Sequence, residues 1–518
     1  MKPIDRRSAA RSLLAGGLAA VLGGGGPALA GGRSRETGPP RPNFVVILTD
    51  DQGYADVGAY GAKRFRTPNI DRMAREGVRF TSFYAQPVCG PSRAALLTGS
   101  YPIKVAEPGN EKHPNTILHA REVTLAEVLK TAGYRTAAFG KWHMAGDGDA
   151  PWDFAPPPAP AGVPGGKGPF KPELMPNSQG FDHFFGLPMY HGYTLDPDNT
   201  RFIPELMRNR EVVESPAEVA TMTRRFTEEA LRFIRDNRSQ PFFVYLAQPM
   251  PHVPLDASPA FKGRSGAGPY GDAVEELDSN VGKLLDELRD LGLDRNTVVV
   301  FLSDNGPELK YDPAYRGEAQ PLRGGKYSTW EGGLRVPAIV RWPQGALQGE
   351  VVDAMATTMD LLPTFAALAG AKLPDGRVID GKNLAETLRC GRAAPAARDY
   401  FFYYSLTQLE AVRDRRWKLV LPRKGPSPYI SWLGNYVEAV DEVQLFDLLA
   451  DPGETTNLAA RHPQVVARLT RQIADARDRY GDVDRVGYEA RFYDPGPRRP
   501  TTLFPQARPP AATQQGGR

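Results

Sequence analysis

The sequence contains only two cysteines, Cys89 and Cys390, among its 518 residues. Two cysteines cannot build the disulfide framework on which many small secreted domains depend. Beyond the N-terminus, no stretch of the sequence approaches the roughly 20 apolar residues that span a bilayer. We therefore expect no disulfide scaffold and no stable membrane association.

A large excess of charge of either sign is also missing. The chain carries 64 Lys and Arg residues against 60 Asp and Glu residues, a net charge of +4, with no dense basic run interleaved with aromatic residues. A nucleic acid is therefore a poor candidate partner. With 41% hydrophobic and 24% charged residues the composition is that of a soluble globular protein, and the length predicts two domains, one of them large.

The N-terminus has the pattern of an export signal. A basic start that contains the pair Arg6-Arg7 precedes a short run rich in Ala, Gly and Leu, and a small-residue cleavage site ends at Ala30. The arginine pair and the weakly apolar, Gly-rich run favour the twin-arginine machinery, although a basic N-terminus also arises by chance. We predict a signal peptide at residues 1–30, a linker at residues 31–42, and a periplasmic or secreted protein.

Four continuous apolar runs are predicted to be parallel strands that are buried on both faces. Each run ends in side chains that are capable of chemistry, although each of these ends taken alone has an ordinary structural explanation. Because the carboxyl ends of parallel strands lie along one edge of an open α/β sheet, we expect these side chains to form one site. They are Asp50 and Asp51 after residues 44–49, Lys141 and His143 after residues 134–139, His252 after residues 241–247, and Asp304 and Asn305 after residues 297–303.

The adjacent carboxylates of Asp50 and Asp51 need an explanation because they repel each other at the end of a buried strand. They are either the start of a solvated loop or the ligands of a divalent cation. Together with Asp304 and Asn305 they offer only oxygen ligands. Such ligands favour a hard cation, Ca²⁺ or Mg²⁺, over zinc.

The segment Cys-Gly-Pro-Ser-Arg at residues 89–93 is predicted to open a helix. Pro91 suits the first turn of a helix and Gly99 suits its end. Cys89 would then lie just before the helix N-terminus, where backbone N–H groups favour negative charge and would activate the thiol. Arg93 follows about one turn later and could reach back toward Cys89. A lone cysteine on a short helix is more often an ordinary buried residue, but the pattern around this one favours a function.

The pattern C-x-P-x-R, followed by an apolar helix and Thr98-Gly99, resembles the signature of type I sulfatases of the alkaline-phosphatase-like superfamily. The order of the chemically capable groups also matches that family over about residues 43–375. The segment at residues 250–255 and the residues 262–271 after it are most similar to arylsulfatase A and N-acetylgalactosamine-6-sulfatase.

The predicted fold class is α/β, with a large doubly wound, mixed and mostly parallel sheet flanked by helices in a catalytic domain at residues 43–390. Alternating aromatic and basic residues predict a C-terminal subdomain at residues 398–484, a small antiparallel sheet with one helix. The Pro- and Gly-rich residues 146–180 form either a disordered insertion or a substrate-facing loop. Residues 485–518 are predicted to be a disordered tail.

The resemblance implies that a formylglycine-generating enzyme oxidises Cys89 to formylglycine, whose hydrated aldehyde attacks the sulfur of a sulfate ester. It also implies one Ca²⁺ per subunit. The implied metal ligands are Asp50, Asp51, residue 89, Asp304 and Asn305. The other implied roles are neutralisation and protonation of the leaving oxygen by Lys326 and His252, removal of a proton by His143, binding of the diol and of sulfate by Lys141 and Arg93, and substrate contact by Lys141, His252 and Lys326. His191 is a candidate for substrate contact or a structural residue, and the sequence favours neither.

We therefore predict an enzyme that hydrolyses the sulfate monoester of an aryl alcohol or a sugar. One alternative is a phosphomonoester, phosphodiester or phosphonate hydrolase of the same superfamily, but the ligands of a second metal site are not found in the sequence. Another is an inactive binder of sulfated glycans, in which a key residue would be lost. Related enzymes often have a serine before the histidine at the position of His191; here Tyr190 replaces it, a difference expected to affect substrate choice.

Overall fold

The computed structural model describes residues 41–107, 117–145, 172–192, 204–392, 398–425 and 438–491. The predicted signal peptide, nearly all of the predicted linker, most of the 146–180 segment and most of the predicted tail lie outside these residues.

The described residues form twenty strands and ten α-helices, numbered here in chain order. The strands are β1 Asn43–Thr49, β2 Val78–Phe80, β3 Phe83–Tyr84, β4 Ala106–Glu107, β5 Ile117–Leu118, β6 Arg135–Lys141, β7 His183–Leu187, β8 Leu206–Arg208, β9 Glu211–Glu214, β10 Phe242–Ala247, β11 Thr297–Ser303, β12 Ala338–Arg341, β13 Glu350–Val352, β14 Ala356–Thr357, β15 Phe401–Ser405, β16 Gln408–Arg413, β17 Trp417–Val420, β18 Gln444–Asp447, β19 Gly481–Asp482 and β20 Arg485–Val486. The helices are α1 Pro68–Arg75, α2 Cys89–Thr98, α3 Pro102–Val105, α4 Leu125–Thr131, α5 Met222–Asp236, α6 Pro269–Asp290, α7 Glu331–Leu334, α8 Leu361–Ala369, α9 Ala385–Cys390 and α10 Pro463–Arg479.

The main sheet has ten strands in the order β13-β2-β12-β11-β1-β10-β6-β7-β8-β9. Its centre is parallel, because β11, β1, β10, β6 and β7 pair in the same direction, whereas β12 pairs antiparallel with β11 and β8 pairs antiparallel with β7. The predicted α/β class with a mixed, mostly parallel sheet is therefore confirmed.

The central strands are apolar along their whole length because helices cover both faces of the sheet. Phe44, Val46 and Leu48 of β1 belong to one core cluster, which includes residues of α2, α4 and α8. Val45 and Ile47, which point to the other face, belong to a second core cluster with residues of α1, α5 and α6. The alternation of side chains along one strand thus joins two helical layers, as in other doubly wound folds.

A four-stranded antiparallel sheet, β15-β16-β17-β18, follows the main sheet in the chain and confirms the small C-terminal sheet that was predicted. Helix α10 packs on it through Leu469, Ile473 and Ala476. The same core cluster contains Tyr84 and Tyr101, which lie on either side of α2 in the sequence. The small sheet is thus joined to the region around α2 by a shared apolar core.

Two segments differ from their predicted boundaries. The sequence of residues 78–83, which leads to Cys89, also predicts a single strand, but the structure has two short strands there, β2 and β3, which join different sheets. Residues 485–491, expected to begin the disordered tail, are ordered: Glu489 pairs with the buried Lys104, and Arg491 pairs with the buried Glu122. Buried charges require partners, and the sequence around Lys104 gives no sign that they come from so far along the chain.

Cys390, the second cysteine, ends α9 and is exposed. None of the described helices is both long enough and apolar enough to cross a membrane.

Candidate active site

The four strands with chemically capable ends lie next to one another in the order β11-β1-β10-β6. Their register brings the ends level, since Thr49 lies opposite Ser303 and Ala247 lies opposite Gly140. The polar residues that follow each strand therefore meet at one edge of the sheet, as the sequence predicted.

Cys89 is brought to this edge by α2. The helix begins at Cys89 itself, one residue earlier than the start expected just after it, and ends at Gly99, whose φ of 63° is left-handed. The Cys89 side chain is buried, and its Sγ lies 3.3 Å from Oδ1 of Asp50 and 3.8 Å from Oδ1 of Asp51. The carboxylates after β1 and the predicted nucleophile are therefore in direct contact.

The environment of Cys89 does not activate its thiol, which corrects the expectation from the helix N-terminus. Burial raises the pKa of Cys89 well above its usual value, and the nearby carboxylates of Asp304 and Asp50 raise it further. Burial and these two carboxylates outweigh the charges of Lys141 and Lys326. The local sequence pattern, a helix N-terminus with Arg93 one turn later, shows neither the burial nor the carboxylates. The thiol is therefore a weak nucleophile in these surroundings.

Three carboxylates and three cations share the site, and we call Asp50, Asp51, Asp304, Arg93, Lys141 and Lys326 the active-site cluster. Arg93 donates to Oδ2 of Asp304 at 2.7 Å and to Oδ2 of Asp50 at 3.3 Å. Its other terminal nitrogen donates to the backbone oxygen of Lys141 at 2.7 Å. The sequence predicted that Arg93 would reach back toward Cys89, and in the structure its guanidinium group binds the carboxylates beside Cys89. Lys141 donates to Oδ2 of Asp50.

These cations set the charge of Asp50. Burial alone would raise the pKa of the Asp50 carboxyl, but Lys141 and the other cations around it outweigh burial and hold the pKa well below its usual value. Burial and the proximity of Asp50 raise the pKa of Asp304 to about 6. A proton or a further cation would therefore stabilise Asp304.

Asp51 has the left-handed backbone conformation, with φ of 61°, which is uncommon for a residue other than glycine. Its Oδ2 accepts from Nζ of Lys326 at 2.8 Å, and its Oδ1 accepts from Nδ2 of Asn305 at 2.7 Å. Nδ2 of Asn305 also donates to Gly306 O at 2.9 Å. The amide nitrogen of Asn305 is therefore fully engaged, and its carbonyl oxygen Oδ1 is buried without a hydrogen-bond partner among the described residues.

The donor set fits the hard cation that the sequence predicted. Asp50, Asp51, Cys89 and His252 each offer one ligand atom, and these four atoms lie within 4.8 Å of one another. Adding Asp304 and the open carbonyl oxygen of Asn305 gives a set dominated by oxygen, which suits Ca²⁺ or Mg²⁺. A cation would also relieve the repulsion among the three carboxylates.

Three histidines line the cluster. Burial and the charge of Lys141 lower the pKa of His143 well below its usual value, and burial and the charge of Lys326 do the same for His252. Both imidazoles are thus neutral near pH 7. Nδ1 of His252 contacts the carbonyl oxygen of Val253, which leaves Nε2, 3.8 Å from Oδ2 of Asp51, as the nitrogen that gains or gives a proton.

The third histidine, His191, lies behind His252. Its Nε2 is 3.0 Å from the backbone oxygen of His252 and 3.2 Å from that of Pro254, and the two imidazole rings are 5.6 Å apart. Its neighbour Tyr190 packs edge-on against the ring of His143, with the ring centres 5.1 Å apart. His191 therefore supports the His252 segment, and Tyr190 stands where related enzymes often have a serine.

One carboxylate of the site was missed at the level of sequence. Glu308 is buried, and its Oε2 lies 3.4 Å from Nζ of Lys326 while Lys310 pairs with its other oxygen. Glu308 follows the Asp304-Asn305 pair by only three residues. This short distance from a strand end that carries two other site residues could have identified Glu308 from the sequence. The structure brings together all eleven residues that the sequence predicted for the site, and their individual roles remain predictions.

Comparison with known proteins identifies the family. The profile of the sulfatase family matches residues 42–371, and a profile described as the C-terminal part of N-sulphoglucosamine sulphohydrolase matches residues 325–479. Steryl-sulfatase of Mus musculus is 36% identical over 90% of this chain and 85% of its own length. N-acetylgalactosamine-6-sulfatase of Rattus norvegicus is 39% identical over 73% of this chain and 71% of its own.

Solved structures agree with the sequence comparisons. A sulfatase from Pseudoalteromonas sp. superimposes with a TM-score of 0.69 at 27% identity, covering 85% of this chain and 91% of the other. The residues that the sulfatase profile matches include the central strands of the main sheet, α2 and the carboxylates described above. The chain thus belongs to the sulfatase family, and it is a sulfuric ester hydrolase.

Proposed function

We propose that this protein is an exported sulfatase in which Cys89 is converted to formylglycine and one Ca²⁺ is held beside it. The proposal rests above all on one observation, the contact of the Cys89 side chain with the paired carboxylates of Asp50 and Asp51 in a buried site. The raised pKa of the Cys89 thiol supports conversion, because an unmodified thiol in these surroundings is a poor nucleophile. The hydrated aldehyde of formylglycine would supply the nucleophile that the thiol does not.

The residues proposed to hold the calcium ion are Asp50, Asp51, Asp304 and Asn305, together with residue 89. When bound, the ion would neutralise carboxylate charge and polarise an oxygen at the reacting centre. Counting the three aspartates as −3, the ion as +2 and the three cations of the cluster as +3 gives a site of about +2 before Glu308 is included. Glu308 lowers this to about +1, which still favours an anionic ester.

The cations of the cluster would bind and orient the sulfate group. Lys326 keeps its positive charge, because burial, which lowers its pKa, is outweighed by Asp51, Glu308 and other nearby groups, which together raise the pKa of the lysine well above its usual value. We propose that it stabilises negative charge on the leaving oxygen. Lys141 and Arg93 pair with Asp50, and their positions make them neutralising groups for the sulfate oxygens and the nucleophile.

The neutral histidines would handle protons. Nδ1 of His143 is buried without a hydrogen-bond partner among the described residues, so it can accept a proton at that atom. Nε2 of His252 faces the Asp51 carboxylate and is the atom at which a proton would be delivered to the leaving oxygen. Because the pKa of His252 is lowered, that imidazole must first gain a proton during the cycle, and Lys326 must carry the resting positive charge.

The proposed substrate is the sulfate monoester of an aryl alcohol or of a sugar. The names of the two relatives described above refer to a steroid sulfate and to a sugar sulfate, so the proposed substrate class includes both kinds of ester. The predicted twin-arginine signal at residues 1–30 supports export to the periplasm or beyond as part of the proposal.

The test is sulfate release from 4-nitrophenyl sulfate and from sulfated monosaccharides by protein made in a host that converts cysteine to formylglycine. We expect calcium-dependent release by the unaltered protein and none by Cys89→Ala. Release of phosphate from the matching phosphate esters at a higher rate than sulfate would contradict the proposed substrate class. Equal sulfate release by Cys89→Ala would contradict the proposed nucleophile.

A further inference from the structure

Asp56 is a buried carboxylate outside the active-site cluster, with only 1% of its surface exposed. Its Oδ2 accepts hydrogen bonds from the backbone N–H of Gly53 and from the hydroxyl of Tyr270, both at 2.7 Å. Its Oδ1 accepts from the backbone N–H of Glu318 at 3.0 Å. A single side chain thus ties together a loop that follows β1, a segment that follows β11, and helix α6.

The two loop segments approach each other too closely for side chains between them. The backbone N–H of Ala55 donates to Glu318 O at 2.9 Å. A Cβ placed on Gly53 would lie 2.2 Å from that same oxygen, and a Cβ on Gly317 would lie 2.0 Å from Oδ2 of Asp56. Both positions therefore require glycine, and the carboxylate of Asp56 fills the space between the segments.

The same group of contacts reaches the proposed cation ligand Asp51. The Tyr270 hydroxyl that donates to Asp56 lies 3.4 Å from the backbone oxygen of Asp51. The next residue, Gln52, is held on both sides, because its backbone N–H donates to Oγ of Ser303 at 3.0 Å and its side chain donates to Asp56 O at 3.2 Å.

Asp51 itself needs this support. Its left-handed φ of 61° is unfavourable for a residue with a Cβ, and such a conformation persists only where the surroundings fix it. In that conformation the Asp51 side chain reaches Cys89, Asn305 and Lys326. A relaxed backbone at this position would turn the carboxylate away from the other oxygen ligands.

We propose that Asp56 and Tyr270 are positioning residues for the cation site, which lock Asp51 in the backbone conformation that directs its carboxylate into the active-site cluster. This inference rests on the proposed function, because it takes the cation site as given. Neither residue touches the substrate or the reacting atoms, and both act through Asp51. Residues that orient metal ligands in this way typically change metal affinity by about 10–100-fold when they are replaced.

The test is a calorimetric titration of the metal-depleted full-length protein with Ca²⁺, for the unaltered protein and for Asp56→Asn and Tyr270→Phe. Asp56→Asn is expected to weaken calcium binding by about 10–100-fold. Tyr270→Phe, which removes one hydroxyl, is expected to weaken it by about 2–10-fold. In both variants, excess Ca²⁺ should restore sulfate release with an unchanged KM for the ester.

Asp278→Asn is the matched control. Asp278 lies on the same helix as Tyr270, is 3% exposed, and accepts from the backbone N–H groups of Asn69 at 2.9 Å and Ile70 at 2.8 Å. Asp278 is thus another buried carboxylate that holds backbone donors, but its bonds go to the start of α1. We expect Asp278→Asn to lower the thermal midpoint and to leave calcium affinity unchanged.

Unaltered calcium affinity in both Asp56→Asn and Tyr270→Phe would overturn the inference while leaving the proposed function intact. An equal loss of affinity in Asp278→Asn would also overturn it, because the effect would then reflect general destabilisation. If Asp56→Asn does not fold, the calcium affinity of Tyr270→Phe alone tests the inference. Failure of the unaltered protein to bind calcium would instead contradict the proposed cation site, and with it this inference.

Discussion

Two clusters of buried charge lie only a few residues apart in the chain, since Lys326 belongs to the active-site cluster and Glu331 belongs to the other. The second group, which we call the interface cluster, joins the region around α7 to the C-terminal sheet. It consists of Glu331, Lys418, Glu454, Tyr84 and Tyr403.

The interface cluster is satisfied by its own members. The two carboxylate oxygens of Glu331 accept from the hydroxyls of Tyr84 and Tyr403, each at 2.6 Å. Nζ of Lys418 lies 2.7 Å from one oxygen of Glu454, and the other oxygen accepts from the backbone N–H of Glu331 at 2.7 Å. Three of the four carboxylate oxygens in this cluster therefore accept a hydrogen bond, and the fourth, Oε1 of Glu454, is ion-paired with Lys418.

The active-site cluster and the residues that border it leave polar atoms unpaired. Nε of Arg93, which belongs to the cluster, and Oδ1 of Asn305 and Nδ1 of His143, which border it, are buried without a hydrogen-bond partner among the described residues. Buried polar atoms are nearly always paired in native proteins, so these unpaired atoms beside the carboxylates are available to a bound ion or substrate. A buried charge cluster that is complete supports the fold, whereas one that is incomplete is prepared for a ligand.

The largest effect is expected from removal of the nucleophile. Cys89→Ala should lower sulfate release by at least about 10³-fold, because covalent catalysis cannot begin without residue 89. The fold should persist, since the helix and its apolar contacts do not depend on the thiol. Sulfate release and the thermal midpoint, measured side by side, check both statements. A variant that keeps a tenth of the activity would contradict the assigned nucleophile.

The next prediction compares how much each cluster contributes to the free energy of unfolding. Glu331→Ala should lower the free energy of unfolding by about 3–5 kcal/mol, because it removes one partner of a buried, fully paired group and leaves Lys418 with less compensation. Asp304→Asn in metal-depleted protein should change it by less than about 1 kcal/mol, because relief of repulsion from Asp50 offsets the weakened pair with Arg93. Urea unfolding of both variants gives the two values. Equal losses would remove the distinction drawn between the clusters.

Removal of calcium should act on only one cluster. Chelation is expected to abolish sulfate release and to remove about 2.7 kcal/mol of stability relative to protein with calcium at a hundred times its Kd. Added Ca²⁺ should restore both. The Asp304→Asn variant should lose this dependence of stability on calcium, while Glu331→Gln should keep it. Full activity after chelation, with metal analysis showing no bound ion, would contradict the account.

A smaller effect is expected from His191. Burial lowers its pKa to about 4, so the unfolded chain, in which a histidine titrates near 6.5, binds more protons between these values. Its contribution therefore destabilises the folded protein progressively as the pH falls from about 6.5 toward 4. In His191→Gln, the loss of stability between pH 7 and pH 5 should be smaller by about 2 kcal/mol. An identical pH dependence in both proteins, measured by urea unfolding, would show that His191 is not held neutral.

The sequence was sufficient to predict the sheet and the groups at its edge. The runs that became β1, β10 and β11 are continuously apolar because helices cover both faces, and such runs can be recognised without a structure. Their polar ends, such as Asp50 and Asp304, could be placed together because parallel strands end at one edge. The prediction that residue 89 is converted to formylglycine came from the resemblance to type I sulfatases.

The remaining features depend on contacts between distant parts of the chain. Glu308 and Asp56 were missed because their roles follow from Lys326 and Glu318, and no local pattern shows these contacts. The thiol of Cys89 was expected to be activated because the helix N-terminus is visible in the sequence, whereas the distance from its sulfur to Asp304 is not. The ordered residues 485–491 could not be predicted because the buried charge of Lys104 that holds them is far away in the chain.

The proposed reaction requires that residue 89 acts as formylglycine. A mass spectrum of the tryptic peptide of residues 80–93, from protein made in its native host, tests this most directly. We expect a peptide in which an aldehyde replaces the Cys89 thiol, and we expect this peptide to react with a carbonyl reagent such as a hydrazine. A peptide that carries an unmodified thiol in fully active protein would contradict it.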